Sequence, residues 1–218
     1  MSATRLSAAT PGPAAGTRRR GACLAVGLLA GGAALVTGVR AESLEVSVSG
    51  AKGAPVADAV VAVFVKGAPA RANGASAEMG QRNKRFTPSV LAVQTGTTVQ
   101  FPNQDTVRHH VYSFSPAKTF ELKLYIGTPA HPVVFDQAGT AALGCNIHDS
   151  MTGWVRVIDT PFFAVSDAAG LARLELPAGE HRLQVWHPDL GGEVEPPLQA
   201  LKVGAGVPTA VSVAFKGP

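Results

Sequence analysis

The sequence predicts an all-β protein with a sandwich architecture. Short runs that alternate or are rich in β-branched residues recur about every ten residues. Clusters of Gly, Pro, Asn and Asp separate them, and no segment sustains the apolar face of a helix. In chain order, Leu44–Val48 alternates Leu and Val with polar residues, and Ala59–Val65 is a continuous Val-rich run. Leu91–Val93 and Thr97–Phe101 flank a Gly-containing turn, and His110–Phe114 alternates around Val111 and aromatic residues. Val133–Phe135, Thr140–Leu143 and Trp154–Ile158 follow, and then Leu171–Leu176, His181–Trp186 and Ala210–Phe215. Ala70–Gly80 is broken by Asn73-Gly74 and lacks a lasting apolar stripe, so a loop with at most one turn is expected there.

The first 41 of the 218 residues stand apart in composition. They pass from a Ser/Thr/Pro/Ala-rich start through Arg18-Arg19-Arg20 to an apolar stretch, roughly Ala22 to Val36, and end at Val39-Arg40-Ala41. A positive region, a short apolar region and a small-x-small site form the pattern of a secretory signal peptide, expected over residues 1–41. The stretch is short for a membrane span, which takes about 20 residues. The leader carries five basic and no acidic residues, so the remainder holds 14 basic against 15 acidic, a net charge of −1. The whole-chain isoelectric point near 9.3 therefore belongs to the leader. What remains gives no basic patch that would argue for nucleic acid or a membrane surface as partner.

Without the leader, Cys145 is the single cysteine. A disulfide within the chain is excluded, and a free thiol in an oxidising compartment is an oxidation liability that a metal bond would remove. Cys145 opens Cys145-Asn146-Ile147-His148-Asp149-Ser150-Met151, with imidazole at +3 and thioether at +6. Thiolate, imidazole and a weak thioether are the donors that a mononuclear copper ion selects. Three donors within seven residues can converge only from a tight turn between two strands, bracketed here by Gly144 and Gly153. A second imidazole is offered upstream in Asn103-Gln104-Asp105-Thr106-Val107-Arg108-His109-His110-Val111. Neighbouring residues on a strand face opposite ways, so His109 or His110 could face the ion, but not both. Asn103 and Asp105 are turn formers ahead of that pair, and an electrostatic role for Asp105 is a lesser reading. His131, His181 and His187 read as surface or capping residues.

These segments resemble the cupredoxins. The segment Val99–Val111 is similar to the strand "V-x-F-x-N-x-D-x-x-x-H-x-V" of the plastocyanin and amicyanin kind. Cys145-x-x-His148-x-x-Met151 has the short loop spacing of amicyanin and departs from the longer plastocyanin loop. The resemblance also extends to exported methylamine-utilisation-type copper proteins. It implies a cupredoxin-like Greek-key sandwich over residues 80–158 and one type 1 copper ion. By its register the ligands are His109, Cys145, His148 and Met151, with His110 as the alternative to His109 and otherwise a packing or hydrogen-bonding neighbour of the ligand loop. The flanks, 42–66 and 161–218, resemble the two halves of a carboxypeptidase-regulatory-like (transthyretin-like) β-sandwich. That resemblance rests on Gly53-Ala54-Pro55-Val56, Ser166-Asp167-Ala168-Ala169-Gly170 and Leu176-Pro177-Ala178-Gly179.

A filled ligand set leaves no open position for substrate, so the expectation is a periplasmic one-electron carrier and not an enzyme. It would be a monomer that docks transiently to redox proteins through the surface around His148, with no nucleic acid and no membrane in its mature form. The alternative is a periplasmic copper carrier or sensor that hands the ion to a partner protein. Exchangeable carrier sites are rich in Met and His, whereas this chain has only three Met.

Overall fold

The computed structural model describes residues 41–214 except Ala130, Glu193 and Val207. The expected leader falls outside them but for Ala41, which opens the first strand. Two strands come first, β1 (Ala41–Ser49) and β2 (Val60–Phe64). A middle set follows: β3 (Ser76–Glu78), β4 (Gly80–Arg82), β5 (Arg85–Thr87), β6 (Val90–Gln94), β7 (Thr97–Gln100), β8 (His109–Ser115), β9 (Lys118–Tyr125), β10 (Val133–Phe135), β11 (Gly139–Cys145) and β12 (Thr152–Ile158). Five strands close the chain: β13 (Phe162–Val165), β14 (Leu171–Pro177), β15 (Gly179–Trp186), β16 (Gln199–Val203) and β17 (Thr209–Ala214). The fold is all-β, and the only helical turns among the described residues are two three-residue 3-10 turns.

The middle strands form one sandwich. A five-stranded sheet in the order β6-β12-β11-β8-β9 faces a three-stranded sheet in the order β10-β7-β3. Between them lie Met79, Phe86, Val99, Phe101, Val111, Phe135, Leu143, Cys145, Met151 and Val155. Period-two patterning builds this core. On β8, His109, Val111 and Ser113 point inward while His110, Tyr112 and Phe114 point outward. On β11, Ala141, Leu143 and Cys145 are buried, with half-buried Ala142 and Gly144 between them. The β4–β5 hairpin closes one edge of the sandwich and lays Phe86 against Gly153, where a Cβ would meet the Phe86 ring at 2.8 Å.

The first two and last five strands build a second layer pair. The sheet β14-β1-β17 and the sheet β13-β2-β15-β16 enclose an aliphatic core that includes Leu44, Val46, Val61, Val63, Leu174, Leu176 and Leu183. Thus β1 and β2 pair only with strands beyond residue 161, across the whole middle set. A third cluster of Val60, Ala62, Val90, Ile158 and Trp186 joins the two cores, with Trp154 and Trp186 edge to face at 5.8 Å. Beside it, Arg156 is buried and donates to both carboxylate oxygens of Glu195, at 2.7 and 2.6 Å, and to Thr140 Oγ1 and Gln184 Oε1. Four acceptor atoms on three residues from separate segments satisfy a cation that burial would otherwise disfavour.

The segment expected as a loop, Ala70–Gly80, departs from expectation at its end. Ser76–Glu78 pairs in parallel with Thr98–Gln100 and so becomes a sheet edge. Its partner comes from β7, and no local pattern announces such a pairing. Asn73-Gly74 still breaks the chain before it, with Gly74 at φ +66°. The strands around the Cys145–Met151 loop also run further than expected, to Cys145 and again from Thr152. The edge strand β9 was not expected, although Phe120, Leu122 and Leu124 stand two apart within it.

Candidate metal centre

The fold brings together a cluster from two places in the sequence. His109 opens β8, fully buried, beside an irregularity in the β8–β9 register between His109 and Val111. Cys145 ends β11, where it pairs with Val111 of β8, so the thiol lies beside the His109 strand. The loop then turns back. The Met151 N–H donates to His148 O at 2.9 Å, which folds His148 over the strand ends. One ring nitrogen each of His109 and His148 and the sulfur of Cys145 all lie within 4.8 Å of one another. Cys145 Sγ is 3.8 Å from Nδ1 of each imidazole, and the two rings are 5.0 Å apart at 59°.

That spacing tests whether an ion fits. Donors bound at about 2.3 Å for thiolate and about 2.0–2.1 Å for imidazole, some 120° apart, stand about 3.8 Å from one another. The two sulfur–nitrogen distances of 3.8 Å meet that requirement without rearrangement. Met151 is buried in the same cluster of side chains as Cys145, and its thioether favours copper over harder ions. The donor set therefore fits a copper ion.

His110 does not join this cluster. Its ring lies on the opposite face of β8, with Nε2 3.0 Å from Glu121 Oε1 and the ring 5.8 Å from Tyr112. His110 thus meets β9 and not the ligand loop. His131 is exposed, His181 Nε2 donates to Pro177 O, and His187 caps the 3-10 turn at Pro188. None of these three belongs to a metal-ligating group among the described residues.

The structure adds a neighbour that the sequence only hinted at. Asp105 Oδ2 is 2.8 Å from His109 Nε2, the ring nitrogen that faces away from Cys145. This contact fixes the proton on Nε2 and leaves the Nδ1 lone pair aimed at the thiol, as the outer carboxylates of metal-bound histidines do. Asp105 is itself held from below. Its carboxylate accepts from the backbone N–H of Asn83 at 2.6 Å and of Lys84 at 2.9 Å. Both residues sit in the left-handed region, at φ +53° and +57°, as a two-residue hairpin turn requires. Partial burial pushes the Asp105 carboxyl up, but these N–H groups and the His109 ring outweigh it and hold it below its ordinary value. Asn103 braces the same loop: Nδ2 donates to Val107 O and Tyr125 O, and Oδ1 accepts from Asp105 N. Tyr125 donates to Phe101 O, and burial pushes its phenol up to about 12.

No protein-family profile and no curated protein matches the chain. Among solved structures, a copper-containing nitrite reductase from Thermus scotoductus SA-01 is similar at 24% identity and TM-score 0.35. That match covers 39% of this chain and only 22% of the reductase. A purple cupredoxin from Nitrosopumilus maritimus matches at 25% identity and TM-score 0.33, over 38% of this chain and 98% of its own. A reduced amicyanin variant matches at 22% identity and TM-score 0.35, over 46% of this chain and 98% of its own. The middle sandwich is a two-sheet, all-β unit with one imidazole on β8 and the thiol at the end of the adjoining β11, the layout that the resemblance to the cupredoxins implied.

Proposed function

We propose that the chain is an exported, periplasmic one-electron carrier with one type 1 copper ion, and not an enzyme. His109, Cys145 and His148 would hold the ion, with Met151 as a further, weak donor. One observation carries this reading: a buried thiol stands 3.8 Å from two imidazole nitrogens, close enough for one ion to be shared by all three. When bound, the ion supplies a couple that gains and loses a single electron with little change of geometry.

The chain's own residues supply the rest. The β8–β11 pairing and the Met151-to-His148 turn keep the donors in place. Asp105 holds the His109 ring so that the ring need not turn between oxidation states. The apolar residues packed around Cys145 keep its thiol buried. His148 is half-buried, beside exposed Ile147, and provides the electron's way in and out for a transient partner. Weak redox encounters need only a small interface.

The test is to add Cu(II) to the chain and record visible absorption and electron paramagnetic resonance. An intense charge-transfer band with a narrow copper hyperfine splitting is expected, and Cys145→Ser abolishes both. A Cys145→Ser protein that keeps the band contradicts the assignment. A copper-handing carrier would yield its ion to mild chelators within minutes, whereas an electron-transfer site retains it.

A further inference from the structure

The surface beside the metal cluster carries a charge pattern that the net charge conceals. Three exposed cations, Arg82, Lys84 and Arg85, crowd the β4–β5 hairpin, whose turn is tied by two hydrogen bonds to Asp105 and through it to His109. Arg108, the residue before His109, is exposed as well. None of the four makes an ion pair among those found in the described residues. Arg82 and Arg85 are direct cross-strand partners, an arrangement of like charges that costs the hairpin stability. Such a cost is explained by a ligand that removes it. Within the same stretches Val107 is 41% exposed and Ile147 is 48% exposed. The acids there are Asp105, committed to His109 and the hairpin turn, and Asp149 in the ligand loop.

Resting on the electron-carrier reading, we propose that Val107 and Ile147 form the apolar centre of a docking face around His148, and that Arg82, Lys84, Arg85 and Arg108 form its basic collar. The occupant is a redox protein whose cofactor edge is ringed by carboxylates. Charge complementarity selects it, because a chain of net charge −1 outside its leader gathers four unpaired cations at this one end. A second copy of this chain is disfavoured, since it would bring collar against collar. In the encounter one electron passes from the partner's reduced centre to the oxidised copper site, or back, with no bond made or broken. The collar raises the encounter rate and orients the partner, and salt weakens both effects.

The test uses ferrous cytochrome b5, with carboxylates around its haem edge, and ferrous cytochrome c, with lysines there. Each is titrated at low ionic strength into the isotope-labelled, copper-loaded chain in its reduced state, so that both centres are reduced and no net electron transfer occurs, and amide resonances report binding. Cytochrome b5 is expected to shift residues 82–85, 107–108 and 146–148, and cytochrome c to leave them unmoved. Arg82→Gln/Arg85→Gln/Arg108→Gln is expected to weaken cytochrome b5 binding about tenfold, as does raising salt to about 0.3 M, while Lys66→Gln on the other sandwich changes nothing. The metal-free chain is expected to bind cytochrome b5 equally well, so failure of the copper reading leaves this result standing. Equal binding of both cytochromes, shifts confined to another face, or an unaffected triple variant overturns the proposal.

Discussion

The two cores of this molecule are made of different material. The buried hydrophobic residues of the core shared by β1, β2 and β13–β17 are Leu, Val and Ala alone, and the hydroxyls of buried Thr160 and Ser166 bond only to backbone. The core between β8, β11 and their facing sheet holds Phe, Met and Cys beside its aliphatics, with His109, Gln81 and Asn103 buried nearby. In the first, burial alone sets the side chains, and any apolar residue of similar volume would serve. In the second, each buried polar atom needs a partner, and the partners form a chain from the hairpin turn through Asp105 to His109 and the thiol. An aliphatic core gives stability without chemistry. The mixed core accepts polar burial in order to fix three donor atoms.

The contrast can be broken from either side. Leu44 is fully buried in the aliphatic core, and Leu44→Ala should cost about 2–5 kcal/mol in urea unfolding. The copper band of the folded fraction should not change, because no donor or donor-holding residue touches that core. A changed spectrum would mean that the cores are not independent.

Asp105→Asn should act the other way round, with a smaller effect on stability and a clear one on the centre. A neutral amide can accept from one of the two turn N–H groups but loses the charge that strengthens these bonds, so about 1–2 kcal/mol is expected. The charge-transfer band and the reduction potential of the loaded protein should both shift, which a purely structural role would not produce. The pH dependence has a definite sign. A carboxyl held below its ordinary value in the fold stabilises the protein above the ordinary carboxylate pKa of about 3.9, and that contribution disappears as pH falls through the lowered value. The stability gap between the metal-free native chain and Asp105→Asn should therefore be full at pH 6 and close as pH falls below about 4. A gap that widens in acid would refute the linkage.

The meeting of Cys145 and His148 was legible in the sequence because they stand three residues apart, and one turn suffices to bring them within 3.8 Å. Strand alternation alone left open which of His109 and His110 faces inward, and the packing of β8 sets the His109 ring beside the thiol. The contact from Asp105 was only half visible. Asp105 stands four residues before His109, but its hold on the ring depends on the Asn83-Lys84 turn some twenty residues earlier. Turn chemistry of that kind is local, whereas the place where a turn docks is not. The same limit hid β3, whose three residues gain their strand character from β7, and Arg156, whose three accepting residues lie on separate segments. Sequence likewise hid the basic collar, since a net charge carries no information about where the charges gather.

The most direct measurement of the central claim is X-ray absorption at the copper edge of the loaded chain. It should show one sulfur neighbour at thiolate bond length and two imidazole nitrogens, with the sulfur signal lost in Cys145→Ser. A copper ion surrounded by nitrogen and oxygen alone, unchanged by that substitution, would contradict the account.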